Sequence, residues 1–590
     1  MLPRGWPWML PLLLLLGCGD KTEVKISDEA PATQAKAPGK PVTGDWLVLH
    51  ELSDPEQLNP LTSNDAGSAD VLGYVFESLL TRDPKTLELI PALAEARPEI
   101  SSDKRAYTFK IRRDARFQDG RALTGEDVLF SAKAIKCPLV NAPFLRVYFD
   151  SLIDAQLLDP YTIRFVIKEP YFLNESVLGG ITIMPRHYYD PENLLGKVTI
   201  TDLLRDPTKL GEPVKKFADD FNKNYNRNPV GSGPYKFNLW KTGQEVELVR
   251  DPHYWGNGKT GIDQPYLDRL KFRIVNNYDA ALIRLKSGEI DFMERLEPVQ
   301  HIRGTSSERF KSQFKKYEYP SPTYTYIGWN NDHPIFSDKR VRRAMTYFTD
   351  RKQMVKTILF GLGEVVEGPI YFFRPEYDRN LASFPFDPQK GLELLNEAGW
   401  SDTDGDGVLD KVIDGKKVPL RFEIKVNSGN ATRKSIALIL QDQLRKFGIR
   451  ASVRELDWTI FLNDTKNHHF DAMIGGWQMP VSESDAFQVW HSSQAANKGS
   501  NHISYKNKRV DEILEQYRHE FDEAKRIQLY REFQEILSDE QPYTFLFMQK
   551  WVSPVQRRFE NVRVLPAGLR PIEWWVAAGN RRYTSPMIAN

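Results

Sequence analysis

Few side chains in this chain are spaced for chemistry. The best candidate is Asp402-Thr-Asp404-Gly-Asp406-Gly-Val-Leu-Asp410, which puts carboxylates at positions 1, 3, 5 and 9 of an EF-hand-like loop. Hard cations such as calcium want that oxygen shell, but the loop is completed by a bidentate glutamate at position 12. Ile413 stands there and no clear second helix follows. The segment therefore reads as an acidic, glycine-rich turn closing a hairpin, with no metal. His468 and His469 are adjacent, and adjacent side chains rarely share an ion, so they read as a surface pair. Ser101-Ser-Asp-Lys104 fits S-x-x-K but has neither of its companions, S-D-N and K-T-G. H-E-x-x-H, G-x-S-x-G, the P-loop and G-x-G-x-x-G are all absent. No catalytic residue or cofactor is assigned, and the chain reads as a binder rather than an enzyme.

The elements that would position a binding site are plainer. Trp46 to Leu49 is a short apolar strand. Tyr107 to Arg112, Thr162 to Lys168 and Glu245 to Arg250 alternate apolar and polar residues, as half-buried strands do. Thr124 caps a helix, and Asp127 stands where a capping box needs an acid. Lys390 to Gly399 and Ser435 to Gly448 are amphipathic helices ending at glycine, and Val510 to Leu537 is a helical pair. Mixed elements over 590 residues predict an α/β or α+β protein of two to four domains. Charge is balanced, 80 Lys and Arg against 79 Asp and Glu, which leaves no footprint for nucleic acid. The 13 Trp and 24 Tyr supply core and, in part, the aromatic walls that ligand clefts favour.

The first hydrophobic run, Trp6 to Leu16 behind Arg4, is too short to span a bilayer and reads as a signal peptide. Leu15-Leu16-Gly17-Cys18 resembles the lipobox of bacterial lipoproteins. That resemblance implies cleavage after residue 17 and lipidation of Cys18, giving an exported protein anchored to a membrane, in the periplasm or on the outer face of the cell membrane. Residues 18–45 are polar and aperiodic and read as a disordered tether. Cys137 is then the only other cysteine, so no disulfide is expected.

Five segments in order resemble one family, the solute-binding proteins of peptide-type ABC importers (extracellular solute-binding family 5). They are Tyr107 to Ser131, Asn228-Pro-Val-Gly-Ser-Gly-Pro-Tyr235 with Leu248 to Trp255, Asp338 to Met345 with Thr349 to Arg351, Leu394 to Trp400, and Asn501 to Tyr505 with Val510-Asp511. The bland reading of Gly231, Gly233 and Pro234 is a tight turn, and of Arg340, Arg342 and Arg343 a solvated helix face. The resemblance implies a periplasmic binding protein-like type II fold, in which two hinged lobes flank a cleft and a smaller extra domain is inserted. The divisions it implies are 46–82, 184–322 and 549–590 for the first lobe, 83–183 for the extra domain and 323–548 for the second lobe.

The resemblance also implies a ligand held like an added strand, mainly by backbone hydrogen bonds. Matching positions are Asn64, Asp65 and Ala66 in the first lobe and Gly475, Gly476, Trp477, Gln478 and Met479 in the second, with Trp458 as a further wall. Typical peptide binders carry an aspartate three residues after the tryptophan to hold the ligand's ammonium. Pro480 stands there instead, so that charge would fall to Glu483 or Asp485, with Asp485 preferred. The implied role is to capture a peptide or peptide-like solute and pass it, as a monomer, to permease and ATPase subunits. Alternatives are an exported peptide hydrolase using the same cleft, a surface sensor or chaperone, and a receptor for a metal chelate, sugar or opine.

Overall fold

The computed structural model describes residues 40–583 except 260, 484, 497 and 498. The signal peptide, Cys18 and most of the tether lie outside the described residues. The first described element is strand β1 (Trp46–Glu51), whose four central residues are buried. The chain then leaves this sheet. It builds an antiparallel layer from β2 (Glu99–Ile100), β3 (Ala106–Lys110), β4 (Leu152–Asp159) and β5 (Thr162–Ile167), in the order β2-β3-β5-β4. Alternation drives the pairing. Tyr107 and Phe109 on β3 face inward, as do Ile163 and Phe165 opposite them on β5, and Phe109 meets Phe165 edge-on at 5.9 Å. The helix Gly125–Lys136 packs against this layer. At its start the Thr124 N–H donates to Asp127 Oδ2 at 3.0 Å, the capping arrangement its sequence announces.

The chain returns to the first sheet with β6 (Tyr235–Lys241), β7 (Glu245–Arg250) and β8 (Arg269–Ile274), completing the order β1-β8-β7-β6 with β1 parallel to β8. One continuous core serves both layers: Leu47, Leu270 and Phe272 belong to the same buried cluster as Phe109, Phe130 and Phe165. The extra domain is therefore welded to the first lobe.

The second lobe has cores of its own, around Trp329, Phe336 and Ile424 and around Tyr326, Trp490 and Tyr543. Its sheet has six strands: β9 (Phe314–Trp329), β10 (Gly363–Val365), β11 (Arg421–Asn427), β12 (Arg450–Leu456), β13 (Ala472–Gln478) and β14 (Tyr543–Gln556), in the order β10-β14-β9-β13-β11-β12. Strands β9 and β14 are the long pair that joins the lobes. Phe314 to Pro320 pairs with Gln556 to Lys550, the register breaks, and Tyr324 to Gly328 pairs with Met548 to Tyr543. Val555 on the far half bridges Phe292, which in turn bridges Leu49 of β1. Pro320 is the last paired residue before the break and Pro322 lies within it, where missing N–H donors disturb the ladder least. The gap in the ladder lies midway along this strand pair, between its two halves.

The acidic loop closes onto a hairpin, Asp410–Ile413 with Lys416–Pro419. Asp402 accepts the Gly405 N–H at 2.8 Å and the Gly407 N–H at 3.0 Å. The Lys417 ammonium lies 2.6 Å from Asp404 and 3.2 Å from Asp410, amid the carboxylates that a cation would need. His468 is tied into the fold, with Nδ1 2.7 Å from His502 O.

Candidate ligand cleft

The site is built on β13. This strand pairs with β9 along its whole length, from Ala472 opposite Trp329 to Gln478 opposite Thr323. On its other side β11 pairs only at Ala472 and Met473, opposite Ile424 and Lys425. Beyond Asn427 the chain turns through Ser428 and Gly429 into the helix Ala431–Arg445. Gly429 has φ +78°, and a Cβ there would fall 2.1 Å from Asn276 O of the first lobe, so the turn demands glycine. Among the described residues, no strand covers the β11-side edge of Gly475 to Gln478.

Hydrogen-bond directions alternate along an antiparallel strand. The Met479 N–H donates to Pro322 O at 2.6 Å, so Met479 and Trp477 are bound to β9. The N–H and C=O of Gly476 and Gln478 therefore point off the open edge. Both residues are exposed, while Met479 is buried. Trp477 is half-buried. Its Nε1–H donates to Tyr543 Oη at 3.3 Å, and its ring lies over His502 at 5.6 Å. Arg433 flanks the same edge: Nη1 donates to Asn427 Oδ1 at 2.8 Å, and Nη2 lies 3.3 Å from where a Gly476 Cβ would be. Burial and the neighbouring Arg295 charge pull Arg433 down to about 10.

The facing wall comes from the first lobe. Asp65 caps the helix Ala66–Val75, accepting the Ser68 N–H at 3.3 Å and the Ser68 hydroxyl. Asn64 beside it is half-buried and Ala66 is exposed. Behind them stand three carboxyls, Glu51, Asp70 and Glu294, brought from distant parts of the sequence. Burial, then Asp70, Glu294 and Asp65, push Glu51 well above the carboxylate range. Asp70 is pushed up to about 8 by enclosure first, then by Glu294 and Asp65, and enclosure raises Glu294. Solvent nevertheless reaches Asp70 and Glu294, so they line an open cleft rather than a packed core. The lobes touch beside it. The Lys466 ammonium lies 2.8 Å from Glu56, and the Thr432 hydroxyl donates to Glu297.

The two acids expected to replace the aspartate missing at Pro480 are placed differently. Asp485 is buried and accepts from Arg518 Nε at 2.5 Å, Tyr171 Oη at 2.8 Å and the Phe487 N–H at 2.9 Å. Glu483 is paired with Arg526. Each spends its charge on an arginine of the second lobe, so neither offers a free carboxylate. Trp458 opens the helix Trp458–Lys466, half-buried and stacked on Phe461 at 5.8 Å, at the margin of the Trp490 core. Glu51, Asp70, Glu294 and Arg433 carry no motif, and sequence reasoning did not find them. The Gly475-Gly476 pair before Trp477 was the one local signal for this edge.

The sequence profile of the bacterial extracellular solute-binding proteins, family 5, middle portion, matches residues 88–499. The chain belongs to this family. The oligopeptide-binding protein AppA of Bacillus subtilis is 31% identical over 567 residues, covering 93% of this chain and 95% of AppA. The structure of AppA in complex with a nonapeptide superposes with a TM-score of 0.79 at 30% identity, covering 91% of this chain and all of that one. NikZ of Campylobacter jejuni, solved in complex with Ni(L-His), gives a TM-score of 0.74 at 27% identity over 90% of this chain and 99% of its own. These relatives are binding proteins rather than enzymes, and the fold is the family's two lobes plus extra domain.

Proposed function

We propose that this family 5 solute-binding protein captures a peptide or peptide-like solute between its lobes and presents it to the permease and ATPase subunits of an ABC importer. The observation that carries the reading is the open edge of β13. An extended chain laid along it receives the unpaired N–H and C=O groups of Gly476 and Gln478 as an added strand does, with little demand on its sequence. The ligand's ammonium would be met by Glu51, Asp70 and Glu294, carboxyls that enclosure and crowding hold towards the protonated form and that a cation helps to ionise. Glu483 and Asp485 are given up for that role. Asn64, Ala66, Trp477 and Trp458 would form the permissive walls. The protein acts as a monomer, exported and held to a membrane by a lipidated Cys18, with the hinge near residues 320–323 and 548–550. It performs no chemistry, and its response to ligand is closure of the lobes.

Mass spectrometry of ligand released from the purified protein tests the class of solute: intact peptides support the reading, while fragments of an added peptide indicate a hydrolase. Gln478→Pro tests the mode. It removes one donor from the open edge without touching the ladder to β9, so peptide affinity should fall about fivefold with the fold intact. Unchanged affinity would show that the ligand does not use this edge.

A further inference from the structure

The extra domain reaches the second lobe through the segment that leaves β5. Tyr171 Oη donates to Asp485 at 2.8 Å, and the Phe172 N–H donates to Arg518 O at 3.1 Å. His519 Nδ1 lies 2.9 Å from Pro170 O. The Phe172 ring meets Tyr517 edge-on at 4.9 Å, and Arg526 lies 4.6 Å from its centre. A crevice of about 950 Å³, lined in part by Glu169, Phe487, Arg518 and Leu529, runs beside this contact and brings solvent to its rim.

The donors around Asp485 divide unequally. Arg518 Nε and the Phe487 N–H come from the second lobe itself, and Arg518 also stacks on Phe487 at 3.7 Å. Tyr171 is the donor from across the boundary. When the bodies part, Asp485 keeps its arginine and a backbone N–H, so no charge is stranded. An ion pair that survives separation makes the contact reversible, whereas a pair split between the two bodies would leave an uncompensated buried charge on each. The extra domain shares its main core with the first lobe, and only Val147, with Tyr148 and Phe172 beside it, packs into clusters of the second. Bending at the β9–β14 hinge therefore has to break this contact, while the ligand edge at Gly476 and Gln478 takes no part in it.

We propose that Tyr171, acting on the Asp485–Arg518 pair, is a latch that holds the second lobe closed against the extra domain and sets the balance of open and closed forms. These are positioning residues, not ligand contacts, and the inference stands whether or not the solute is a peptide.

Spin labels on Leu158→Cys in the extra domain and Lys508→Cys in the second lobe, both exposed, report the separation by double electron–electron resonance, since Cys137 is buried. The ratio of closed to open distances is read without ligand and with a casein peptide digest. Hydrogen bonds to charged groups contribute enough that Tyr171→Phe should lower the ratio about tenfold. His519→Ala, a milder change at a half-exposed side chain, should lower it about threefold. Circular dichroism checks that each variant is folded. Identical distance distributions for wild type and both variants would overturn the latch, as would a ligand-free wild type with no closed population.

Discussion

Glu294→Gln separates a cleft that selects an amine from one that merely contains acids. The substitution keeps the side chain's size and removes one of three carboxyls that oppose each other's ionisation. Two unit charges about 4 Å apart interact by about 4 kcal/mol at an effective dielectric of 20. Glu294 is open to solvent, so that figure is discounted towards the ~1 kcal/mol of an exposed pair. About 1.4 kcal/mol, or tenfold in affinity, is the working expectation for a ligand ammonium. Isothermal titration with one peptide in free-amine and N-acetylated forms reads it: Glu294→Gln should weaken the first about tenfold and leave the second alone. Stability gives an independent check. Carboxyls held above their unfolded values bind more protons folded than unfolded, so stability falls as pH rises through the interval between the two values. For Asp70 that interval runs from 3.8 to about 8. Removing Glu294 lowers the neighbours' pKa, so the ligand-free melting temperature of the variant should decline less steeply between about pH 5 and 8. Equal losses for both peptides, with an unchanged pH slope, would refute the reasoning.

Lys466→Met breaks the bridge to Glu56 across the lobes; stopped-flow should find ligand released about two- to fivefold faster, with association nearly unchanged. Cys18→Ala should leave the protein without acyl chains and release it from the membrane fraction, read by mass spectrometry and fractionation.

The regular elements were legible because local signals agreed with the tertiary outcome. Thr124 and Asp127 announce a helix that begins at Gly125, and the alternation at Thr162 yields a strand ending at Ile167. Local pattern did not mark the hinge; the lobe divisions at 322/323 and 548/549 came from the family resemblance, and the gap in the β9–β14 ladder lies beside them. Pro320 and Pro322 read locally as a break, yet β9 runs through them because they sit at a gap in its ladder. Within the site, the Gly475-Gly476-Trp477 run marked the strand edge. The acids did not show, since Glu51, Asp70 and Glu294 meet only after β1, the first helix and the segment before β9 are folded together. Asp485 misled for the same reason: Arg518, which neutralises it, lies 33 residues further on and reaches it only in the folded lobe.

Hydrogen exchange read at single-residue resolution along β13, with and without a bound casein peptide digest, shows whether ligand pairs with the open edge. Ligand should slow the amides of Gly476 and Gln478, which face the open edge, while Trp477 and Met479, already bonded to β9, change little. Ligand-induced protection elsewhere in the molecule, with Gly476 and Gln478 exchanging as fast as before, would contradict that pairing.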